Sequence, residues 1–248
     1  MDTALVLAGG RSERFAGAEK SLATLAGEPM IQRVLTRVAP LVDTVVVSCR
    51  TEQYDALRAA LDTTDADVHL EFAFDDHPDR GPVSGLRGGL RAIGGDHSRD
   101  EHATSDDHGH ERGTEPHGDG KGGREYDDTV IVVACDLPLL EPTLFECLET
   151  HLGEGDATIP ETADGQHHPL AGLYRVVPTL EAIAAARGEH DPTTPRWPGM
   201  FDVLSRLETT IVAPGSLPRD VERMLWNVNT RTALDAVETL LEKAERGS

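Results

Sequence analysis

Residues 7–20 read LAGGRSERFAGAEK and follow an apolar run, Ala4 to Leu7, that is typical of a buried strand. The two glycines allow the backbone to turn sharply and to come close to a ligand. Backbone N–H groups in such a loop converge on anions, and Arg11, Arg14 and Lys20 add positive charge to it. This stretch therefore predicts a strand followed by a phosphate-binding loop.

The loop differs from the two commonest phosphate-binding patterns. It has no Gly-Lys-Ser/Thr, since Lys20 follows Glu19, and no G-x-G-x-x-G. It resembles instead the signature L-A-G-G-x-S-x-R-M-G-x-x-K of nucleotidyltransferases with a glycosyltransferase-A-type fold. Its Ala-Gly-Gly version is most similar to that of the molybdenum cofactor guanylyltransferases, although residues 15–17, Phe-Ala-Gly, replace the usual Met-Gly. The alternative is a tight strand–helix turn with incidental basic residues.

Length and composition are those of a globular α/β protein. The 248 residues suit one large α/β domain, although two small ones are possible by length alone. The resemblance implies a single nucleotidyltransferase domain spanning 1–248. No apolar run approaches the roughly 20 residues that cross a bilayer, and no cleavable leader is recognisable before the first strand. Cys49, Cys135 and Cys147 include no C-x-x-C pair, so we expect reduced thiols rather than disulfides or a zinc site. These features predict a cytoplasmic protein.

The charge balance is strongly acidic. The net charge is −21, and the three lysines are Lys20, Lys121 and Lys243. Such a surface repels nucleic acid and anionic membranes, so neither is expected as a partner. An acidic, lysine-poor surface is typical of proteins that work at high internal salt, where screening weakens self-repulsion. We therefore expect a halophilic source, with an acidic mesophilic protein as the alternative.

Residues 95–127 break the composition. This stretch is nearly free of apolar residues and rich in Asp, Glu and Gly. It also carries five histidines: His97, His102, His108, His110 and His117. Such a segment buries too little apolar surface to offset its ordering entropy, and we expect a disordered surface insertion. A His/Asp tract can bind transition metals, but no spacing typical of paired ligands recurs along it.

Strand and helix patterns alternate along the rest of the chain. This order predicts an α/β fold with a doubly wound, mostly parallel, Rossmann-like sheet. Ligands bind at the carboxyl ends of the strands in such sheets. The predicted strands after the first are Thr44–Cys49, Val68–Phe74 and Thr129–Cys135, and the predicted helices are Ile31–Val38, Glu52–Leu61 and Pro82–Ile93.

Asp136 directly follows the apolar strand that begins at Thr129, in the sequence CDLPLL of residues 135–140. A carboxylate at the end of a buried strand projects into the ligand crevice, where it suits Mg²⁺. The alternative role is to cap the helix after Pro142. Asp-x-Pro-x-Leu is also the metal-binding motif of the family named above, so the resemblance implies Mg²⁺ as the cofactor.

Asp75 is the first polar residue after the third predicted strand, in FDDHPDRGPVSGL of residues 74–86. The segment resembles the family's Asp…Gly-Pro-Leu-Ala-Gly-Ile, with Val83 and Ser84 in place of Leu-Ala. That resemblance implies a contact between Asp75 and guanine, because a carboxylate accepts hydrogen bonds from the N1–H and 2-amino groups. A generic acidic turn is the alternative, and Asp76 is next in line for the contact.

One residue departs from the family at the nucleoside end of the site. After the second strand the guanylyltransferases commonly have Ala-Asn-Arg, whereas residues 48–50 here are Ser-Cys-Arg. The Cys49 thiol cannot replace the hydrogen bonds of an amide. This difference keeps CTP open as an alternative to GTP.

Two later segments extend the resemblance to the end of the chain. Residues 166–174, QHHPLAGLY, are similar to the family's Q-P-L-x-x-L-Y, which lies near the pterin substrate; His167 or His168 there would contact an anion or simply enter a strand. Residues 226–230, WNVNT, are similar to F-x-N-I-N-T-P. We expect Thr230 to cap the last helix, and Asn229 to contact metal or phosphate.

The resemblance implies a Mg²⁺-dependent transfer of GMP from GTP to the phosphate of molybdopterin or molybdenum cofactor. The implied catalytic residues are Arg14, Lys20 and Asp136, and the implied metal ligands are Asp136 and Asn229. The implied nucleotide-binding residues are Leu7, Ala8, Gly9, Gly10, Lys20, Asp75 and Asp136. Transient contact with proteins that deliver or accept the cofactor is a further implication.

Three alternatives to this activity remain open at the sequence level. One is a cytidylyltransferase acting on the same pterin. Another is a transferase for sugar-1-phosphate or cobinamide-phosphate acceptors, which shares the first loop. The last is a nucleotide-binding module without turnover.

Overall fold

The computed structural model describes residues 1–10, 19–64, 66–75, 77, 80–95, 129–188 and 197–246. Arg11, Arg14 and Asp76 lie outside the described residues, and so do all but the first residue of the predicted insertion at 95–127. The disorder and surface location expected for that insertion therefore stay predictions.

A seven-stranded sheet organises the described chain. Its strands are β1 (Thr3–Leu7), β4 (Thr44–Cys49), β5 (His69–Phe74), β6 (Thr129–Ala134), β7 (Ala157–Pro160), β8 (Ala171–Arg175) and β9 (Thr209–Val212), and a separate two-residue pair is formed by β2 (Thr24–Leu25) and β3 (Glu28–Pro29). The strand order in the sheet is β5-β4-β1-β6-β8-β7-β9, and every neighbouring pair is parallel except those that β8 makes with β6 and β7. The mostly parallel sheet is thus confirmed.

Helices cover both faces of the sheet, as expected of a doubly wound fold. They separate the core into one cluster around Ile31, Leu144 and Phe145 and another around Leu86, Leu90 and Tyr174. The helices are α1 (Met30–Val38), α2 (Tyr54–Leu61), α3 (Pro82–Ile93), α4 (Pro142–Leu152), α5 (Val176–Gly188), α6 (Met200–Leu204), α7 (Val221–Met224) and α8 (Arg231–Arg246). None of the helices in the described ranges is both long and apolar enough to cross a membrane.

The sequence predictions agree closely with these boundaries. Strand β4 and helix α3 begin and end at the predicted residues. The predicted helix Glu52–Leu61 is instead a 3₁₀ turn at Thr51–Gln53 that leads into α2. The predicted strand beginning at Thr129 ends one residue earlier, at Ala134, so that Cys135 and Asp136 belong to the following turn.

The central strand β1 sets the level of the site. Leu7, its last residue, pairs with Ser48 of β4 on one side and with Ala134 of β6 on the other. The residues that follow these three strands therefore leave the sheet side by side at its carboxyl edge.

The last helix, α8, packs near that edge of the sheet. The Thr230 hydroxyl accepts a hydrogen bond from the backbone N–H of Ala233 at 3.1 Å, which confirms the predicted cap. Leu234 and Val237 of α8 are buried in a small cluster with Met30 and Leu139. This packing fixes the 226–230 segment beside the loop that carries Asp136.

Candidate active site

A cavity of about 590 Å³ opens at the carboxyl edge of the sheet. Its position agrees with the expectation for an open α/β sheet. The predicted nucleotide-binding residues Leu7, Ala8, Gly9, Gly10, Lys20, Asp75 and Asp136 all line it, together with Ser21, Ser48, Gly81, Pro82, Gly85, Ala134, Cys135 and Leu170. The structure therefore brings these seven residues together at one cavity, and their nucleotide-binding role stays a prediction.

Backbone hydrogen bonds continue the sheet one residue beyond the strand ends. The N–H of Ala8 donates to Ser48 O at 2.8 Å, and that of Cys135 donates to Leu7 O at 3.1 Å. The N–H of Asp75 donates to Cys49 O at 2.9 Å. Asp75 and Asp136 thus start from backbone positions that the sheet fixes.

Lys20 joins two acceptors that are far apart in the sequence. Its Nζ lies 2.5 Å from Asp136 Oδ2 and donates to Asn229 Oδ1 at 2.8 Å. The backbone N–H of Val228 donates to Asp136 O at 2.9 Å, and this bond brings Asn229 beside the carboxylate. The predicted cation, carboxylate and amide therefore form one cluster.

The Asp136 carboxylate retains one oxygen for a ligand. Asp136 is 7% exposed, and its buried Oδ1 has no hydrogen-bond partner within the described residues. A buried carboxylate oxygen without a partner is costly, and a hard cation would satisfy it. No group of three or more His, Cys, Asp or Glu suited to a metal occurs in the described ranges. The donor set fits Mg²⁺, which uses one or two carboxylates together with phosphate oxygens and water.

Asp75 is held through one of its two carboxylate oxygens. Its Oδ1 accepts hydrogen bonds from the Ser84 hydroxyl and from the backbone N–H of His77, the latter at 3.0 Å. A Cβ added at Gly9 would lie 3.8 Å from Oδ2, so the other oxygen faces the first loop. The carboxylate is therefore oriented before any ligand arrives.

Cys49 does not line the cavity. Its side chain is fully buried in the core cluster around Ile31, and burial raises the pKa of the thiol to about 11. Ser48, its neighbour, faces the cavity and donates from Oγ to Gly85 O at 2.9 Å. The loss of an amide at position 49 therefore removes no group from the cavity wall.

Cys135 lines the cavity but is poorly suited to act as a nucleophile. Burial and the adjacent Asp136 charge raise the pKa of its thiol to about 12. A cysteine reacts through its thiolate, which is scarce at neutral pH under these conditions. This agrees with chemistry that uses no covalent enzyme intermediate.

The two predicted histidines lie in the β7–β8 hairpin, at the same edge of the sheet. His167 Nε2 lies 3.3 Å from Glu161 Oε1, and His168 Nε2 lies 3.3 Å from the Thr162 hydroxyl. Burial lowers the pKa of His168. Neither is among the described residues that line the cavity, although Leu170 of the same hairpin is.

Sequence reasoning missed two polar side chains that organise the site. These are Ser84, which in the sequence is only a replacement in the motif that starts α3, and Gln53, which belongs to none of the motifs. Both are nearly inaccessible, at 2% and 3% exposure. Ser84 has a signal, a polar residue among apolar ones in the first turn of a helix, but this does not name its partner. Gln53, between Glu52 and Tyr54, has no such signal.

Comparisons with known proteins agree with this geometry. The model of the family described as "MobA-like NTP transferase domain" matches residues 4–196. A relative from the halophile Natronomonas pharaonis, named "Probable molybdenum cofactor guanylyltransferase", is 30% identical over 229 residues, or 89% of this chain and 95% of the relative. A "Molybdenum cofactor guanylyltransferase" from Pseudomonas putida is 30% identical over 184 residues, or 73% of this chain and 75% of the relative.

A solved structure supports the fold independently. It is that of "Molybdopterin-guanine dinucleotide biosynthesis protein A" from Archaeoglobus fulgidus, with a TM-score of 0.66 and 23% identity over 97% of this chain and 99% of that chain. At this identity the similarity establishes the nucleotidyltransferase fold. With the match over residues 4–196 and the relatives above, it follows that the chain belongs to the MobA-like NTP transferase family.

Proposed function

We propose that this protein transfers GMP from GTP to the phosphate of molybdopterin and releases pyrophosphate. The observation that carries the proposal is the bonding of Lys20 to Asp136 and Asn229, beside a cavity that Lys20, Asp136 and Asp75 line. The cluster suits a triphosphate, and Asp75 suits a guanine base. The names of the relatives from Natronomonas and Pseudomonas support the same reaction.

The reaction needs alignment and charge compensation rather than a protein nucleophile. A phosphate oxygen of molybdopterin bonds to the α-phosphorus of GTP, and the bond from that phosphorus to the β-phosphate bridging oxygen breaks. The acceptor phosphate is already anionic at neutral pH, so no side chain has to remove a proton from it. Catalysis of this kind depends on positioning and on electrostatic stabilisation.

Lys20 is the described cation best placed for that stabilisation. Its ammonium group is held by Asp136 and Asn229, and its side chain is only 18% exposed. A positive charge with low exposure acts through a low local dielectric and interacts more strongly with phosphate than an exposed one. Arg14 stays a proposed second cation from the sequence.

Asp136 and Asn229 would hold Mg²⁺. The buried Oδ1 of Asp136 and the amide oxygen of Asn229 are hard donors of the kind that this ion prefers. When bound, Mg²⁺ supplies neutralisation of the triphosphate charge. The protein's contribution is to keep both oxygens close to the Lys20 ammonium, at the side of the cavity that Lys20 and Asp136 line.

Asp75 is the group proposed to select the base. Guanine presents two adjacent N–H donors, whereas cytosine presents acceptors at O2 and N3. With Oδ1 held by Ser84 and His77, the carboxylate has a fixed direction and Oδ2 is left for the ligand. Because Cys49 is buried in the core, its replacement of the family's Asn gives no structural reason to favour CTP.

The test is pyrophosphate release by the purified protein at high salt. Molybdopterin is offered with GTP, CTP or ATP, each with Mg²⁺ and with excess chelator. We expect turnover with GTP that requires the metal, and a dinucleotide product detectable by mass spectrometry. Preference for CTP would establish a cytidylyltransferase instead, and the absence of pyrophosphate with every nucleotide would contradict catalysis on this acceptor.

Two acceptor comparisons complete the test. Molybdopterin is compared with the molybdenum-loaded cofactor, and both are compared with a sugar-1-phosphate and with cobinamide phosphate. Faster turnover of the latter pair would move the assignment to the other nucleotidyltransferases that share the first loop.

A further inference from the structure

Gln53 uses its whole side-chain amide on backbone and side-chain partners from three segments. Its Nε2 donates to Ala8 O at 3.1 Å and to Glu19 Oε2 at 2.6 Å. Its Oε1 accepts from the backbone N–H of Arg50 at 2.9 Å and from Arg50 Nε at 3.2 Å. A buried amide with both donors and its acceptor satisfied is held in a single orientation.

Glu19 is held from two sides by the same group of residues. Its Oε1 lies 2.7 Å from Arg50 Nη2, and its Oε2 accepts from Gln53. The backbone carbonyl of Glu19 accepts from the N–H of Leu22 and so starts the 3₁₀ turn at Lys20–Leu22. The side chain of Glu19 therefore anchors the residue from which the Lys20 turn begins.

We propose that Gln53, with Glu19 and Arg50, is a positioning unit that directs Lys20 at Asp136 and Asn229. Gln53 links Ala8, at the start of the first loop, to Glu19, the residue before Lys20. Gln53 thereby fixes the position of Lys20 relative to the carboxyl end of β1. Asp136 is positioned relative to the same strand end, because the N–H of Cys135 donates to Leu7 O. The placement of Lys20 does not depend on the reaction that the protein catalyses. Only the expected effect on kcat rests on the proposed function.

The competing explanation is a local one. Gln53 closes the 3₁₀ turn at Thr51–Gln53 by bonding to the backbone of Arg50, and capping alone would account for its Oε1 contacts. It would not account for the two donor bonds to Ala8 and Glu19. An experiment has to separate these roles by reading the state of Lys20 directly.

Because the chain has few lysines, the reactivity of Lys20 can be measured directly. With Lys20, Lys121 and Lys243 as the only amino side chains, limited acylation at pH 8 can be quantified at each lysine by mass spectrometry. Lys243 is exposed on α8 and serves as the internal reference, whereas the Lys20 ammonium is paired and mostly buried. The Lys20/Lys243 labelling ratio therefore reports how firmly Lys20 is held, and it requires no turnover.

The variants are Gln53→Glu, Gln53→Met and the double variant Glu19→Gln with Gln53→Glu. Gln53→Glu places two carboxylates where an amide and a carboxylate now meet at 2.6 Å. Adding Glu19→Gln restores one donor and one acceptor with the direction reversed. Gln32→Met on α1 is the matched control, because Gln32 has no side-chain hydrogen bond to another described residue.

We expect Gln53→Glu and Gln53→Met to raise the Lys20/Lys243 ratio about fivefold, the factor that corresponds to one hydrogen bond of about 1 kcal/mol. The double variant should bring the ratio most of the way back, and Gln32→Met should leave it at the wild-type value. In the pyrophosphate assay, both single variants should lower kcat more than they raise KM for GTP. Thermal unfolding confirms that each variant is folded.

An unchanged Lys20/Lys243 ratio in folded Gln53→Met would overturn the proposal, even if activity fell, because Gln53 would then act by another route. A double variant that is worse than Gln53→Glu would also overturn it. If the wild type shows no GTP turnover, the proposed function fails while the labelling result still decides the role of Gln53.

Discussion

The Lys20 ammonium lies 2.5 Å from the Asp136 carboxylate, although 116 positions separate the two residues in the chain. The pairing of β1 with β6 creates this contact, since Lys20 belongs to the segment that follows β1 and Asp136 to the turn after β6. Both side chains are largely buried, at 18% and 10% exposure. Removing either partner therefore leaves the other charge in a poorly solvated place.

Asp136→Asn tests the carboxylate of this pair. The amide keeps the size of the side chain but removes the charge, so we expect a folded protein whose kcat falls on the order of 10²-fold, the scale of a lost electrostatic element. The measurement is pyrophosphate release from GTP across a Mg²⁺ titration. Asp55→Asn, an exposed site on α2, is the control and should retain full turnover. Near-normal activity of Asp136→Asn at saturating Mg²⁺ would contradict the metal assignment.

Lys20→Ala tests the cation. If Lys20 stabilises charge that develops on the leaving pyrophosphate, kcat falls more than KM for GTP rises. Steady-state kinetics with molybdopterin saturating gives both constants, and Lys243→Ala controls for loss of a lysine elsewhere. A variant in which KM alone changes would make Lys20 a ground-state binding residue.

The sequence was sufficient to predict the central strands and the residues that follow them. The run of β6 is apolar on both faces, which is typical of a central parallel strand. Asp136 is predicted because it directly follows that run, and Asp75 because it is the first polar residue after β5. The same alternation of side chains shows why Ser48 lines the cavity while Cys49 is buried in the core.

The links between segments were beyond prediction. Gln53 lies at the start of a helix, where its polarity alone suggests a cap. Its bonds to Ala8 and Glu19 depend on how α2 packs against the Lys20–Leu22 turn. The sequence indicates a strand after His168, which is β8, but not that this strand runs antiparallel to β6. Five residues contain too little pattern to determine the direction of a strand. Tertiary packing decides both features.

Ser84→Ala tests how Asp75 reads the base. Without the hydroxyl, Asp75 Oδ1 keeps only the bond from His77, and the carboxylate loses part of its fixed direction. The hydroxyl acts on the base only through the direction of the carboxylate, so we expect a roughly two- to tenfold smaller GTP-over-CTP preference in kcat/KM, which corresponds to about 0.5–1.5 kcal/mol. Asp75→Ala should narrow the preference by roughly tenfold or more, since a charge-assisted bond is worth about 1.5–3 kcal/mol.

Ser205→Ala is the control for that comparison, since its hydroxyl bonds to Asp202 O on α6. The control should leave the nucleotide preference of the wild type intact. A preference that survives Asp75→Ala would assign base reading to Asp76 or to backbone groups.

Gly88→Ala tests the packing that supports Asp75. Gly88 lies in α3, and a Cβ there would meet Phe74 O at 2.9 Å, against the strand residue that precedes Asp75. Alanine is ordinarily the better helix former by about 1 kcal/mol, but the clash with a backbone atom requires α3 or β5 to shift. We expect the overpacking to outweigh the helix preference and lower the free energy of unfolding by about 1–3 kcal/mol in urea titrations at high salt. Because Asp75 directly follows β5 and Ser84 lies on α3, the GTP-over-CTP preference should fall as well.

Gly215→Ala is the matched control, because an added Cβ there meets no heavy atom within 4 Å beyond its chain neighbours, and the change should be nearly neutral. A Gly88→Ala variant as stable as wild type would show that α3 can move without strain, and the close approach would then have no part in orienting the base-reading carboxylate.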